Sequence, residues 1–176
     1  MKVIPAPLRH KARKIKLLLL DVDGVLTDGG IVIDERGVES KRFDVRDGQG
    51  ITLLKHAGVE VGFVSGRSSG AVRQRAGDLG VKWVFQGVQN KAEIYQRIKK
   101  RTGLRDEHIA YAGDDIVDIP ILRAVGLAIT VPDGWPGIRP VVDYVTEAES
   151  GRGAVREIAE LILTTQNLWK DLLDRY

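Results

Sequence analysis

Five short apolar runs, Leu17 to Val22, Val59 to Ser65, Trp83 to Gln86, Ile109 to Gly113 and Leu127 to Val131, alternate with segments whose apolar residues fall at helical spacing. Runs this short, without polar alternation, read as strands buried on both faces. Ile51/Leu54/Ala57, Val72/Arg73/Ala76, Ile94/Ile98 and Ile119/Leu122/Arg123 mark the helices between them. Strand, helix, strand in repeated order predicts an α/β fold, a doubly wound parallel sheet. In that fold ligands bind at the carboxyl ends of the strands, so polar residues directly behind the runs are the first candidates for a site.

With 176 residues, 43% of them hydrophobic and 29% charged, the chain has the composition of one ordinary globular domain. It has no cysteine, which excludes disulfides and thiolate metal sites and fits a reducing cytoplasm. The formal charge of +3 is a property of one end. Lys2, Arg9, Lys11, Arg13, Lys14 and Lys16 give +6 with no acid among them, leaving −3 for residues 17–176. Without interleaved aromatics, the basic N-terminal segment 1–15 reads as a solvated, partly disordered arm beside a single domain over 16–176, with no nucleic-acid partner. Lys16 and Asp21 interrupt the apolar stretch behind it, so no signal peptide is expected, and no segment approaches a membrane span.

Residues 30 to 43 break the alternation. They read as two short strands around a turn at Asp34 to Gly37, a β-hairpin insert after the first strand. Such a hairpin either covers the sheet edge or, because Ile31, Val32, Ile33 and Val38 would be exposed on a monomer, serves self-association. Asp44 to Arg46 leads straight into the first helix, leaving no room for a separate cap domain. Near the C-terminus, Val155, Ile158, Ala159 and Ile162 form one stripe of a packing helix over Ala154 to Leu163. Thr164 to Tyr176 continue amphipathically as a docked or intersubunit tail.

Residues able to carry chemistry follow four of the strands. Asp21-Val22-Asp23-Gly24 sets two carboxylates at spacing i, i+2 on one face, an arrangement suited to metal-assisted phosphoryl transfer. An Asp-Gly turn is the alternative, but a turn alone leaves the crowded pair unexplained. Ser65-Gly66-Arg67 offers a hydroxyl, an unhindered N–H and a guanidinium to phosphate or carboxylate oxygens, or makes a plain turn. Asn90 with Glu93 marks a helix start and puts Lys91 in its first turn, where a cation opposes the helix dipole unless an anion is bound. Gly113-Asp114-Asp115 with Asp118 brings three acids to one strand end. Helix capping accounts for one or two of them, and Mg²⁺ compensates all three.

Asp21-x-Asp23, Ser65, Lys91 and Gly113-Asp114-Asp115, each behind a strand, resemble the four motifs of the haloacid dehalogenase superfamily. Asp21 to Gly29, Val45-Arg46-Asp47-Gly48, Ser65-Gly66-Arg67, Gln86-Gly87 with Asn90-Lys91, and Gly151-Arg152-Gly153-Ala154-Val155-Arg156-Glu157 extend the likeness. They make residues 16–163 similar to the 3-deoxy-D-manno-octulosonate 8-phosphate phosphatase family. The resemblance implies a HAD-like Rossmannoid core without a cap. It also implies a homotetramer, with the hairpin 30–43 and the C-terminal tail in the interface and a neighbour closing each site. The implied activity is that of a cytoplasmic Mg²⁺-dependent phosphoric monoester hydrolase acting on a phosphorylated sugar acid in lipopolysaccharide precursor synthesis.

Under this resemblance Asp21 is nucleophile and metal ligand, Asp23 is acid/base and a ligand through its carbonyl, and Asp114 is the third ligand. Ser65, Gly66 and Lys91 hold the phosphoryl group. Asp115 or Asp118 orients Lys91 or a metal-bound water. Thr27, Arg46, Arg67, Arg75 and Arg152 complete the substrate contacts, the arginines because their fork matches a carboxylate. Related phosphatases for nine-carbon keto-deoxy sugar acid 9-phosphates carry an acid after Ser-Gly, so Arg67 favours the eight-carbon substrate and leaves the nine-carbon one as the alternative. A non-catalytic oligomerisation module of the same fold is a second alternative, opposed by the intact Asp21, Asp23, Lys91 and Asp114. A phosphorylation-dependent receiver domain has its acidic pair early and its phosphorylated Asp later, the reverse of this order. Trp135 stands where the family commonly shows His, so no contact is carried over to the loop Pro132 to Pro136, and Trp135 is read as packing or interface. His10, His56 and His108 lie outside any ligand spacing.

Overall fold

The computed structural model describes residues 4–174. Its first half contains α1 (Ala6–Ala12), β1 (Leu17–Leu20), β2 (Val32–Ile33), β3 (Glu39–Ser40), α2 (Val45–His56), β4 (Glu60–Val64) and α3 (Gly70–Asp78). Then come β5 (Trp83–Phe85), α4 (Lys91–Thr102), β6 (Ile109–Ala112), α5 (Ile119–Leu122), β7 (Leu127–Thr130), β8 (Tyr144–Val145), α6 (Ala154–Thr165) and α7 (Trp169–Leu173). Six strands pair in parallel in the order β5-β4-β1-β6-β7-β8. The chain winds outward from β1 through β4 to β5, then returns to β6 on the other side. This reversal makes the carboxyl ends of β1 and β6 the topological switch point where such folds bind ligands.

β1 is apolar throughout because it lies mid-sheet with both faces covered. Leu18 and Leu20 join Ile51 and Leu54 of α2 and Val155, Ile158 and Ile162 of α6 on one side. Leu17 and Leu19 join Tyr95 and Ile98 of α4 and Ile121 of α5 on the other. All four leucines are fully buried, and truncating one of them to alanine costs about 2–5 kcal/mol.

α2 and α6 pack closely because Gly50 has no side chain: a Cβ there would stand 3.0 Å from Arg156 Cα. Asp44 caps α2, accepting the Arg46 N–H at 2.7 Å. Asp47, buried in the first turn of α2, accepts the N–H groups of Gly153 at 3.2 Å and Arg156 at 2.8 Å, satisfying amides that α6 leaves free at its start. The Arg-Asp-Gly and Gly-Arg-Gly stretches are thus two halves of one packing joint.

The basic arm requires correction. Residues 6–12 are helical, with Leu8, Ala12 and Ile15 buried in the core, while Lys11 and Lys14 pair with Asp143 at 2.6 Å and Glu107 at 2.9 Å. The apolar spacing i, i+4, i+7 outweighs the charge count; Lys2 lies outside the described residues. The sheet strands end one or two residues before their expected limits, where the backbone leaves the sheet; at the end of β1, Val22 donates to Asp21 Oδ1 at 2.7 Å. β8 is a strand without an apolar run long enough to announce it. The tail docks on its own chain through Leu172 and Trp169, and Arg175 and Tyr176 lie outside the described residues.

The hairpin forms, with two residues in each strand. Asp34 closes it by accepting the N–H groups of Arg36 at 2.9 Å and Val38 at 2.8 Å. It is a separate sheet, paired with neither edge strand of the six-stranded one. Ile31, Val32, Ile33 and Val38 are each more than half exposed. Among the described residues no helix is long and apolar enough to cross a membrane.

Candidate active site

A cleft of about 250 Å³ opens at the switch point, lined by Asp21, Asp23, Ser65, Gly66, Arg67, Val88, Gln89, Lys91, Asp114, Asp115 and Val117. A larger cavity, about 640 Å³, lies at the amino ends of β1, β4 and β5, where Glu60 is its only carboxylate. Size therefore does not locate the chemistry; convergence of charged groups does.

Lys91, the first residue of α4, is buried between two carboxylates, with Nζ 2.8 Å from Asp21 Oδ2 and 2.6 Å from Asp118 Oδ1. The conflict of a cation with the helix dipole is settled by these two acids. Burial alone would lower the Lys91 pKa, but the charges of Asp21 and Asp118 outweigh it and raise it, so the ammonium stays protonated. Tyr111 donates its phenol to Asp118 and stands 3.2 Å from Lys91 Nζ. Burial, then Asp118, pushes the phenol well above its usual range, so it remains a donor.

Asp118 is fully committed. Its Oδ1 meets Lys91 and Tyr111, and its Oδ2 accepts the N–H groups of Asp114 at 3.0 Å and Asp115 at 3.2 Å. Asp115 caps the following turn by accepting the Ile116 N–H at 2.7 Å. Of the two residues considered for orienting Lys91 or a metal-bound water, Asp118 is the one in contact with Lys91.

The acids fit a cation. Oxygens of Asp21, Asp114 and Asp118 lie within 4.8 Å of one another, and Asp114 Oδ1 is buried with no hydrogen-bond partner among the described residues. Burial, then Asp118, pushes the Asp21 pKa up to about 7 despite Lys91. Burial, then Asp21 and Asp118, pushes Asp114 up to about 8. A hard divalent cation accepting carboxylate oxygens removes this strain. Gly24, at φ +90°, makes room: a Cβ there would lie 2.1 Å from Asp114 Oδ2.

The neighbouring loops brace the cleft. Ser65 Oγ accepts the Arg67 N–H at 3.1 Å, Val88 donates to the Ser65 carbonyl at 3.1 Å, and Gln86 Oε1 accepts the Ser69 N–H at 2.7 Å. Trp135 donates its backbone N–H to the Asp114 carbonyl at 2.8 Å and folds its ring over Gly137.

The remaining candidates lie outside the cleft of this chain. Thr27 is buried, its Oγ1 donating to the Val22 carbonyl at 3.4 Å. Arg46 donates to Asp44 Oδ2 and to the Arg152 carbonyl, both at 2.8 Å. Arg75 sits over Phe43, 5.8 Å from the ring centre, and Arg152 pairs with Glu149 at 3.6 Å. His10, His56 and His108 are absent from the cleft lining.

The structure adds Tyr111, Lys41 and Glu39. A phenol in a buried strand needs a partner, which was a usable signal for Tyr111. Lys41 reaches Asp23 from the hairpin, and no local pattern announces that contact.

The sequence pattern of haloacid dehalogenase-like hydrolases matches residues 84–158. The 3-deoxy-D-manno-octulosonate 8-phosphate phosphatase of Escherichia coli (strain K12) is 41% identical over 163 residues, covering 93% of this chain and 87% of that protein. The chain belongs to this phosphatase family. A structure of the family's enzyme from Moraxella catarrhalis, in complex with a magnesium ion, a phosphate ion and a KDO molecule, is similar at a TM-score of 0.93 and 40% identity. That match covers 96% of this chain and 97% of the other. The cobalt-bound form of the family's Haemophilus influenzae enzyme is similar at a TM-score of 0.86 and 41% identity, covering 89% and 92%.

Proposed function

We propose that this chain is a Mg²⁺-dependent phosphatase hydrolysing 3-deoxy-D-manno-octulosonate 8-phosphate to the free sugar acid and phosphate, in lipopolysaccharide precursor synthesis. The observation that carries the reading is Lys91 held between Asp21 and Asp118, with the unpartnered Asp114 carboxylate beside them at the switch point. Asp21 attacks phosphorus, forming an aspartyl phosphate as the bond to the sugar oxygen breaks, and Asp23 gives that oxygen its proton. Asp23 then takes a proton from the water that attacks the aspartyl phosphate, releasing phosphate and restoring Asp21. Ser65, the Gly66 N–H and Lys91 neutralise the phosphoryl oxygens during both transfers.

Asp21, the Asp23 carbonyl and Asp114 would hold Mg²⁺, which supplies the positive charge that lets an anionic nucleophile meet an anionic phosphate. Arg67, at the cleft wall, is assigned to the sugar carboxylate. Thr27 supports the loop behind Asp23, and Asp115 the turn behind Asp114. Arg46, Arg75 and Arg152 are assigned to substrate in an assembled homotetramer, joined through hairpin 30–43 and the tail, in which a neighbouring copy covers the open cleft. The exposed apolar hairpin supports that assembly. The compartment of this reading is the cytoplasm, consistent with a chain that has no cysteine.

A phosphate-release panel tests the substrate: the eight-carbon sugar acid phosphate is expected to turn over faster than a nine-carbon sugar acid 9-phosphate, and both faster than hexose phosphates. Equal rates on all three would overturn the assignment.

A further inference from the structure

The base of the hairpin meets two residues of the cleft lining, Asp23 and Arg67, through a run of alternating charges. The Lys41 side chain is only 1% exposed, and its ammonium contacts Asp23 Oδ1 while lying 2.5 Å from Glu39 Oε1. The other oxygen of Glu39 accepts from Arg67 Nη2 at 2.9 Å. Asp23, Lys41, Glu39 and Arg67 therefore form one connected line between two residues of the cleft lining, from the one that handles the leaving-group proton to the guanidinium. A surface ion pair would be solvated and interchangeable with water. Here the ammonium is desolvated, so its position depends on both carboxylates staying in place. Lys41 holds Asp23, a residue of the cleft lining, by Oδ1, while Oδ2 takes no hydrogen bond among the described residues.

We propose that Lys41 is a positioning residue for the reaction, holding Asp23 at the leaving oxygen, with Glu39 tying it to Arg67 so that the hairpin couples sugar recognition to proton transfer. This rests on the reading of Asp23 as the acid/base. A structural prop would slow every substrate alike; a residue that positions the acid matters only where the leaving oxygen needs a proton.

The test compares kcat/KM, which covers the steps through departure of the alcohol, on the sugar acid phosphate and on p-nitrophenyl phosphate, whose phenolate leaves unprotonated. Lys41→Met is expected to lose at least about tenfold on the sugar phosphate and less than about threefold on the aryl phosphate. Lys41→Arg should recover part of the loss. Glu39→Gln, which keeps size and leaves Lys41 in place, should show the same selective loss to a smaller extent, so a poorly folded Lys41→Met still leaves a readable variant. Equal losses on both substrates, or no loss in Glu39→Gln, would overturn the proposal. Asp23→Asn serves as reference. If it is selective and Lys41→Met is not, the proposal fails and the acid/base reading stands; if Asp23→Asn is itself unselective, that reading fails and takes the proposal with it.

Discussion

Lys91 Nζ lies 2.8 Å from Asp21 Oδ2, joining residues 70 positions apart through the sheet that both elements leave at the same end. The contact is buried, and Asp118 completes it from the far side. Removing the cation leaves two buried carboxylates without the charge that compensates them. Lys91→Met is therefore expected to destabilise the fold by about 3–5 kcal/mol, read by urea denaturation, and to lower turnover at least about a hundredfold. Unchanged stability would show that the two acids are compensated in another way.

The same crowding makes stability depend on pH and metal together. Asp114 is raised from its ordinary 3.8 to about 8, so the metal-free folded chain binds that proton more tightly than the unfolded chain. Its stabilising contribution is complete below about pH 4 and is lost as pH rises through about 8. Mg²⁺ takes the ionised form, so the Tm gain from saturating Mg²⁺ should grow by several degrees between about pH 5 and pH 8 in calorimetric scans. A gain independent of pH would detach the cation from these carboxylates.

Asp47 carries no chemistry in this account. It caps α6 across the joint with α2, so Asp47→Ala should cost about 1–2 kcal/mol in thermal or urea unfolding while kcat at a permissive temperature changes less than about twofold. A large kcat loss with stability intact would place it in the site.

The doubly wound sheet and its loaded end were legible before the structure because a central strand has to be apolar on both faces. Leu17 to Leu20 could then stop only where Asp21 begins. Asp23, Ser65, Lys91 and Asp114 were legible for the same reason, as polar residues at consecutive strand ends. Lys41 and Glu39 were not: their contacts bridge a hairpin to loops across the cleft, and such geometry leaves no local period. The helix over Ala6–Ala12 was hidden because its buried stripe consists of only Leu8 and Ala12 among six neighbouring cations. Arg46 and Arg152 meet one another outside this chain's cleft, the first donating to the carbonyl of the second, so the substrate contacts proposed for them depend on an assembly that no local pattern displays.

The exposed hairpin gives the proposed tetramer its test. Val32→Glu combined with Ile33→Lys alters two side chains that are 63% and 56% exposed and leaves Lys41 in place, so the fold should persist while sedimentation velocity shows a smaller species. An unchanged tetramer would remove the hairpin from the interface.

The central claim is that Asp21 carries the phosphoryl group, and chemical trapping tests it most directly. Borohydride added during turnover of the sugar acid phosphate with Mg²⁺ reduces an acyl phosphate to the alcohol, so peptide mass spectrometry should find homoserine at position 21, dependent on both substrate and metal. Reduction at another carboxylate, or turnover with residue 21 never modified and with Asp21→Asn still active, would contradict it.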